Sequence, residues 1–157
     1  MTPPSAPLTR LGQGFHWQDL TVGQRFETFS RTITETDLVN FISCTGMLEA
    51  IFIEEGYAGG AIRGRPVPGA LTYTLIEGFI LQSMIQGTGL AMLELVQKIH
   101  GPVLVGDTIH ATVEVTAVKP TSAHNRAIVD SDIVVLNQRG DTVMTYSAKR
   151  LLAGRPA

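Results

Sequence analysis

The chain has 157 residues, 44% of them hydrophobic and 17% charged, with a formal net charge of -2. That length fits one domain, and the composition supports a large core or a subunit interface and excludes disorder. Its Lys and Arg are scattered without a like-charge block, which excludes a nucleic-acid partner or an anionic membrane surface as an electrostatic target.

In chain order, Met1 to Gln13 is Pro-rich and polar without an apolar run, so 1–14 is expected to be a loose arm and not a signal peptide. Phe15 to Leu20 is an irregular lead-in closed by the turn Thr21-Val22-Gly23-Gln24. Arg25 to Ile33 alternates, with Phe26, Thr28, Ser30 and Thr32 on one face, and is expected to be one strand. Thr34 caps the next helix, where Leu38, Phe41, Ile42 and Thr45 recur at helical spacing and Gly46 provides the stop. Cys44, the single cysteine, rules out an internal disulfide and fits a reducing cytoplasm. Beside Ile42 it reads as a small apolar residue more readily than as a catalytic thiol. Leu48 to Tyr57 is expected to hold a second short helix, and the Gly- and Arg-containing 58–65 a loop.

Pro66-Val67-Pro68-Gly69 opens a long helix over about 66–86 that is apolar nearly all round. Glu77 in its middle argues against a membrane span and for a helix wrapped by protein. Gly87-Thr88-Gly89 stops it. Strands are expected over 90–100, 108–118, 127–136 and 142–151, with Ile109, Ala111, Val113, Val115 and Ala117 alternating along the second. A turn at 138–141 joins the last two. The sum is α+β: an antiparallel sheet curled around one long helix. The domain is expected over 15–152, with 153–157 a C-terminal tail.

The common catalytic signatures are absent. There is no P-loop and no G-x-S-x-G elbow, and the histidines at 16, 100, 110 and 124 lack metal spacing. No metal and no separate cofactor is expected. Each histidine reads as structural or superficial, His110 least so. The stronger signal is Gly69 at the start of a buried helix, where unpaired backbone N–H groups and the macrodipole can hold a developing oxyanion. Pro-Gly also serves simply to start a helix tightly, and the residues alone leave both readings open.

Three segments carry a resemblance: Asp-Leu-Thr-Val-Gly-Gln at 19–24, Pro-Val-Pro-Gly-Ala-Leu-Thr at 66–72, and Gly-Pro-Val-Leu-Val-Gly-Asp-Thr-Ile at 101–109. In this order they resemble the MaoC-like R-specific enoyl-CoA hydratases and dehydratases. The resemblance implies a hotdog fold, pairing of two units into a homodimer or larger even assembly, and acyl-CoA or acyl-carrier thioester sites in the seam. CoA would enter only as part of the substrate. The family's oxyanion-holding N–H falls on Gly69, with Val67, Pro68 and Ala70 beside it as substrate-binding positions.

The family's proton-transfer pair does not carry over. Its pattern Gly-Asp-x-Asn-Pro-x-His reads here Gly46-Met47-Leu48-Glu49-Ala50-Ile51-Phe52. Neither Met47 nor Phe52 exchanges a proton, so both become expected substrate contacts. Two readings follow, and a third is weaker. Glu49 or Glu54 rebuilds the acid/base, if burial beside Met47 and Phe52 tunes it. Otherwise the chain is a non-catalytic acyl-thioester binder or partner subunit, or a hotdog thioesterase running on one carboxylate. Each glutamate also reads as a solvated helix face. Arg63, Arg65 and Arg126 are candidate contacts for a CoA phosphate, or plain exposed arginines.

Overall fold

The alternation in the C-terminal half becomes the frame of the molecule in a computed structural model that describes residues 8–156. Most of the expected N-terminal arm, 1–7, and the last residue, 157, lie outside the described residues. Four long strands, β3 (Gly89–Ile99), β4 (Thr108–Pro120), β5 (Arg126–Leu136) and β6 (Thr142–Ala153), pair antiparallel in the order β4-β5-β6-β3. Ile109, Ala111, Val113 and Val115 of β4 are buried to within 1%, which is what period-two alternation requires of a sheet covered on one face.

The single strand expected over 25–33 is corrected to two short ones, β1 (Arg25–Glu27) and β2 (Arg31–Thr32), both paired to β4. Thr28 causes the break. Its N–H donates to the Ala111 carbonyl at 2.9 Å and its Oγ1 accepts from the Ala111 N–H at 2.9 Å. A side chain has taken a ladder position, and the backbone turns off.

α1 (Glu35–Thr45) has the expected ends. Thr34 Oγ1 accepts from the Asp37 N–H at 3.2 Å, Asp37 accepts from the Thr34 N–H at 2.8 Å, and Gly46 closes the helix at φ +74°. Its Leu38 and Ile42 are buried. The second helix is shorter than expected, only α2 (Ala50–Ile53).

α3 is also shorter, Gly69–Gln82 instead of about 66–86. Residues before Gly69 are used otherwise: Val67 N–H donates to Val103 O at 2.9 Å, and Val105 N–H to Arg65 O at 3.0 Å. This pairing with the 101–107 connection fixes where α3 begins. The connection is itself locked by Asp107, whose carboxylate accepts from Leu104 N–H at 2.9 Å and Gln138 Nε2 at 2.7 Å. The Gly-Asp pair at 106–107 is thus structural.

The sheet curls around α3, burying Leu71, Thr72, Ile76, Phe79 and Ile80. The opposite face, with Ala70, Thr74 and Leu81, is exposed. The segment before β1 straps the end of α3, with Gly14 N–H on Gln86 O at 2.8 Å and Phe15 N–H on Met84 O at 2.7 Å. A Cβ at Gly14 would meet Gln86 N at 2.4 Å, so only glycine permits that approach. β3 is the outer strand, and Leu90, Met92, Leu93, Leu95, Val96 and Ile99 along it are all exposed. No helix among the described residues is long and apolar enough to cross a membrane.

Candidate functional site

A cavity of about 380 Å³ lies where α3 begins. Gly69 and Thr72 form its floor, Ile51 and Phe52 of α2 one wall, and Ile99 of β3 with Met144 of β6 another. Pro68 is the N-cap, and its carbonyl accepts from Leu71 N–H at 2.9 Å and Thr72 N–H at 3.3 Å. The Gly69 and Ala70 N–H groups lead the helix and have no intrahelical acceptor. The cavity therefore joins an apolar wall to a free amide at the positive end of an apolar helix. A Cβ on Gly69 would meet Ile99 Cδ1 at 2.5 Å.

Of the sequence-predicted residues, the structure brings Phe52, Val67 and Gly69 together in this cavity. Pro68 is buried, and Ala70, the second residue of α3, is exposed. Met47 is half-exposed and lines no part of the cavity. The expected burial of Glu49 beside Met47 and Phe52 is corrected. Glu49 is exposed as the N-cap of α2, its carboxylate accepting from Ala50 N–H at 3.1 Å. An acidic side chain at a helix start is held there by the free N–H groups. Glu54 is exposed at the other end of α2, at the edge of a small separate pocket with Tyr57 and Ile62.

The three arginines do not gather. Arg65 is a clamp: its Nε donates to Phe52 O at 3.1 Å and its Nη1 pairs with Glu35, tying α2 to α1. Two of its three guanidinium nitrogens are engaged in this clamp, and its side chain is only 17% exposed. Arg63 is exposed on the 58–65 loop. Arg126 opposes Ala153 whereas the cavity lies at Met144, nine residues along β6 and so roughly 30 Å away. Within one chain Arg126 cannot join the other two.

His100 contributes to the cavity rim, but its Nε2 lies 2.8 Å from Thr145 Oγ1. Met144 and Tyr146 are buried against α3, so Thr145 between them lies on the outer face, and the His100 Nε2 is engaged there. Thr72 is the one residue of the floor with a hydroxyl, and its Oγ1 is buried without a partner among the described residues. Among the described residues no carboxylate lines the cavity, and His100 is its one imidazole. No group of three His, Cys, Asp or Glu able to hold a metal exists among the described residues.

A second polar cluster, not singled out from the sequence beyond Glu77, lies farther along α3. Glu77 pairs with Arg150 of β6 and accepts from Tyr146 hydroxyl at 2.7 Å, with Tyr73 edge-on to Tyr146 at 5.3 Å. Burial, and then the Glu77 carboxylate, push the Tyr146 hydroxyl far above its ordinary range, and raise Tyr73 by the same two causes. Both remain donors. Tyr73, Glu77 and Arg150, with Leu81, Ile85 and Met92, line a second cavity of about 320 Å³. Two signals pointed to it: a charge inside an apolar helix, and an arginine on the buried face of β6 between Ala148 and Leu152.

The family description "FAS1-like, dehydratase domain region" matches residues 20–146. Among solved structures, a MaoC-like dehydratase from Rhodospirillum rubrum superposes with a TM-score of 0.82 at 24% identity, over 92% of this chain and 100% of that one. An R-hydratase from Pseudomonas aeruginosa gives 0.73 at 25% identity, over 91% and 88% of the two chains. A 3R-hydroxyacyl-ACP dehydratase complex, HadBC from Mycobacterium tuberculosis, gives 0.68 at 16% identity, over 83% and 96%. No curated protein matches. The superpositions bear out the expected hotdog architecture, a sheet wrapped on one helix.

Proposed function

We propose, from the premise that the chain belongs to the FAS1-like dehydratase domain-region family, that it holds an enoyl or 3-hydroxyacyl thioester at the start of α3. In this reading it is the thioester-binding member of a paired assembly and does not itself move the proton. The observation that carries the proposal is the cavity, which has a free Gly69 amide at one end, no carboxylate in its lining, and His100 as its one imidazole, with Nε2 held 2.8 Å from Thr145 Oγ1.

Hydration or dehydration builds negative charge on the thioester oxygen. A preorganised N–H at a helix start favours that charge, with Gly69 leaving room for the carbonyl to approach. The same reaction also needs a base at carbon and an acid at the hydroxyl. Met47 and Phe52 supply neither. Glu49 faces solvent from the α2 cap, and Glu54 opens onto another pocket. A thioesterase would likewise want a carboxylate beside the carbonyl, and none lines the cavity.

The missing pair is therefore assigned to a second subunit, docked along the apolar outer strand β3. A homodimer alone does not restore it, since each copy lacks the same groups. The substrate carrier is CoA or an acyl-carrier protein, the setting cytoplasmic, and no cofactor is required.

The test is calorimetric titration with decanoyl-CoA beside two activity assays, loss of crotonyl-CoA enoyl absorbance and thiol release. Binding without hydration or thiol release by the isolated chain is expected. Hydration by the isolated chain that Glu49→Gln abolishes would overturn this reading in favour of a rebuilt site.

A further inference from the structure

The two cavities lie along one ridge of α3. Gly69, Tyr73 and Glu77 of α3 are spaced by four, so they share a face of the helix. Gly69 lines the first cavity, and Tyr73 and Glu77 line the second. Side chains on a helix lean toward its N-terminus, which sets the Tyr73 ring between the two spaces. Eight residues of helix separate Gly69 from Glu77, a distance of about 12 Å. A medium-length acyl chain whose carbonyl rests at Gly69 reaches that point.

What waits there is polar. Glu77 is 8% exposed, and both of its protein hydrogen bonds, from Tyr146 and Arg150, fall on Oε1. Its Oε2 has no donor among the described residues, and Glu77 lines the cavity. The Tyr73 hydroxyl is also without a partner there, and burial keeps it protonated. The surrounding wall is Leu81, Ile85, Leu90 and Met92. A plain methyl end would cover a carboxylate oxygen and offer it no donor. A carboxylate or phosphate end would meet a like charge, because Arg150 is already matched by Glu77. A neutral hydroxyl fits both groups, donating to Oε2 and accepting from Tyr73.

We infer that Glu77 and Tyr73 are specificity determinants selecting an acyl thioester with a hydroxyl near the far end of a medium-length chain. The inference rests on the thioester-binding reading above and names its substrate class.

The experiment is titration of the intact chain with ω-hydroxydecanoyl-CoA and decanoyl-CoA, saturated thioesters that bind without turnover. The hydroxylated chain should bind on the order of tenfold more tightly. Tyr73→Phe and Glu77→Gln should each reduce the preference to about threefold or less. Tyr73→Phe keeps the ring and leaves the Glu77–Arg150 pair intact, so it decides the matter if Glu77→Gln fails to fold. Equal affinities, or a preference that Tyr73→Phe leaves whole, overturn the inference while acyl-CoA binding still stands. If neither thioester binds, the proposed function itself is overturned, and this inference with it.

Discussion

Replacing Arg150 with Met tests whether the Glu77–Arg150–Tyr146 cluster holds α3 on the sheet. The Arg150 and Glu77 side chains are 5% and 11% exposed, so little solvent screens the pair. Removing one partner of a buried pair costs about 3–5 kcal/mol, chiefly by stranding the other charge. Here the Tyr146 hydroxyl remains on Glu77 at 2.7 Å, and hydrogen bonds to charged groups are worth about 1.5–3 kcal/mol. The expected loss therefore lies at the low end, about 3 kcal/mol, or a Tm fall of roughly 6–12 °C for a chain of this size. Met keeps most of the apolar stem, so packing is not the main term. Urea unfolding at fixed protein concentration measures the loss. The triple variant Glu77→Met, Arg150→Met, Tyr146→Phe removes every polar member together and should lie within about 1 kcal/mol of the parent. A loss below about 0.5 kcal/mol for Arg150→Met, or a triple variant no better than the single, would refute the argument.

Two further outcomes follow from the site and from α1. Gly69→Ala should leave stability within about 1 kcal/mol, because the Ile99 end that its methyl meets belongs to a side chain 62% exposed and free to swing. Its decanoyl-CoA affinity should fall on the order of tenfold by calorimetry, since the methyl stands beside the amide, and unchanged affinity would remove Gly69 from the site. Asp37 is a pH sensor for the α1 cap. Burial pushes its carboxyl up, but the Thr34 N–H and hydroxyl and the Arg31 guanidinium outweigh that and hold it below its ordinary 3.8. Its folded value is thus depressed, so its contribution is complete above the unfolded value and lost as pH falls through the lower folded one. Asp37→Asn should unfold more readily at neutral pH by circular dichroism and lose less stability than the parent on acidification past 3.8. Parallel acid curves would contradict this.

Features fixed by neighbours in the chain were legible in the sequence. The Thr34 cap, the Gly46 stop and the alternation of β4 each need only a few consecutive residues, and they stand where the pattern put them. The 101–109 motif was read as a family landmark, and its physical content is the Asp107 lock. What failed depended on distant partners. Ala111 decides that Thr28 interrupts the first strand, and the 101–107 connection decides that Arg65 to Val67 are not helical. Glu49 became a candidate because it lies two residues from Met47, where the family has its Asp, whereas α2 has four residues and uses that carboxylate as its cap. Nothing local to Arg65 says that Phe52 and Glu35 will engage it. Glu77 was recognised as a charge out of place, but Arg150 lies 73 residues away and only the packed sheet brings them together.

The outer strand β3 has a consequence for how the chain must be made. Its eleven residues pair with β6 on one side only, and the other side offers a free ladder beside six exposed apolar side chains. Such an edge is a template for any other extended segment, and no proline or bulge near Leu95 to Ile99 blunts it. Synthesis without a partner therefore sets correct pairing in competition with self-association among nascent chains, and yield should depend on what else is being translated. If a second subunit covers β3 as proposed, co-production with it would act in effect as a chaperone for this chain, and selection on that subunit's abundance would become selection on this protein's solubility.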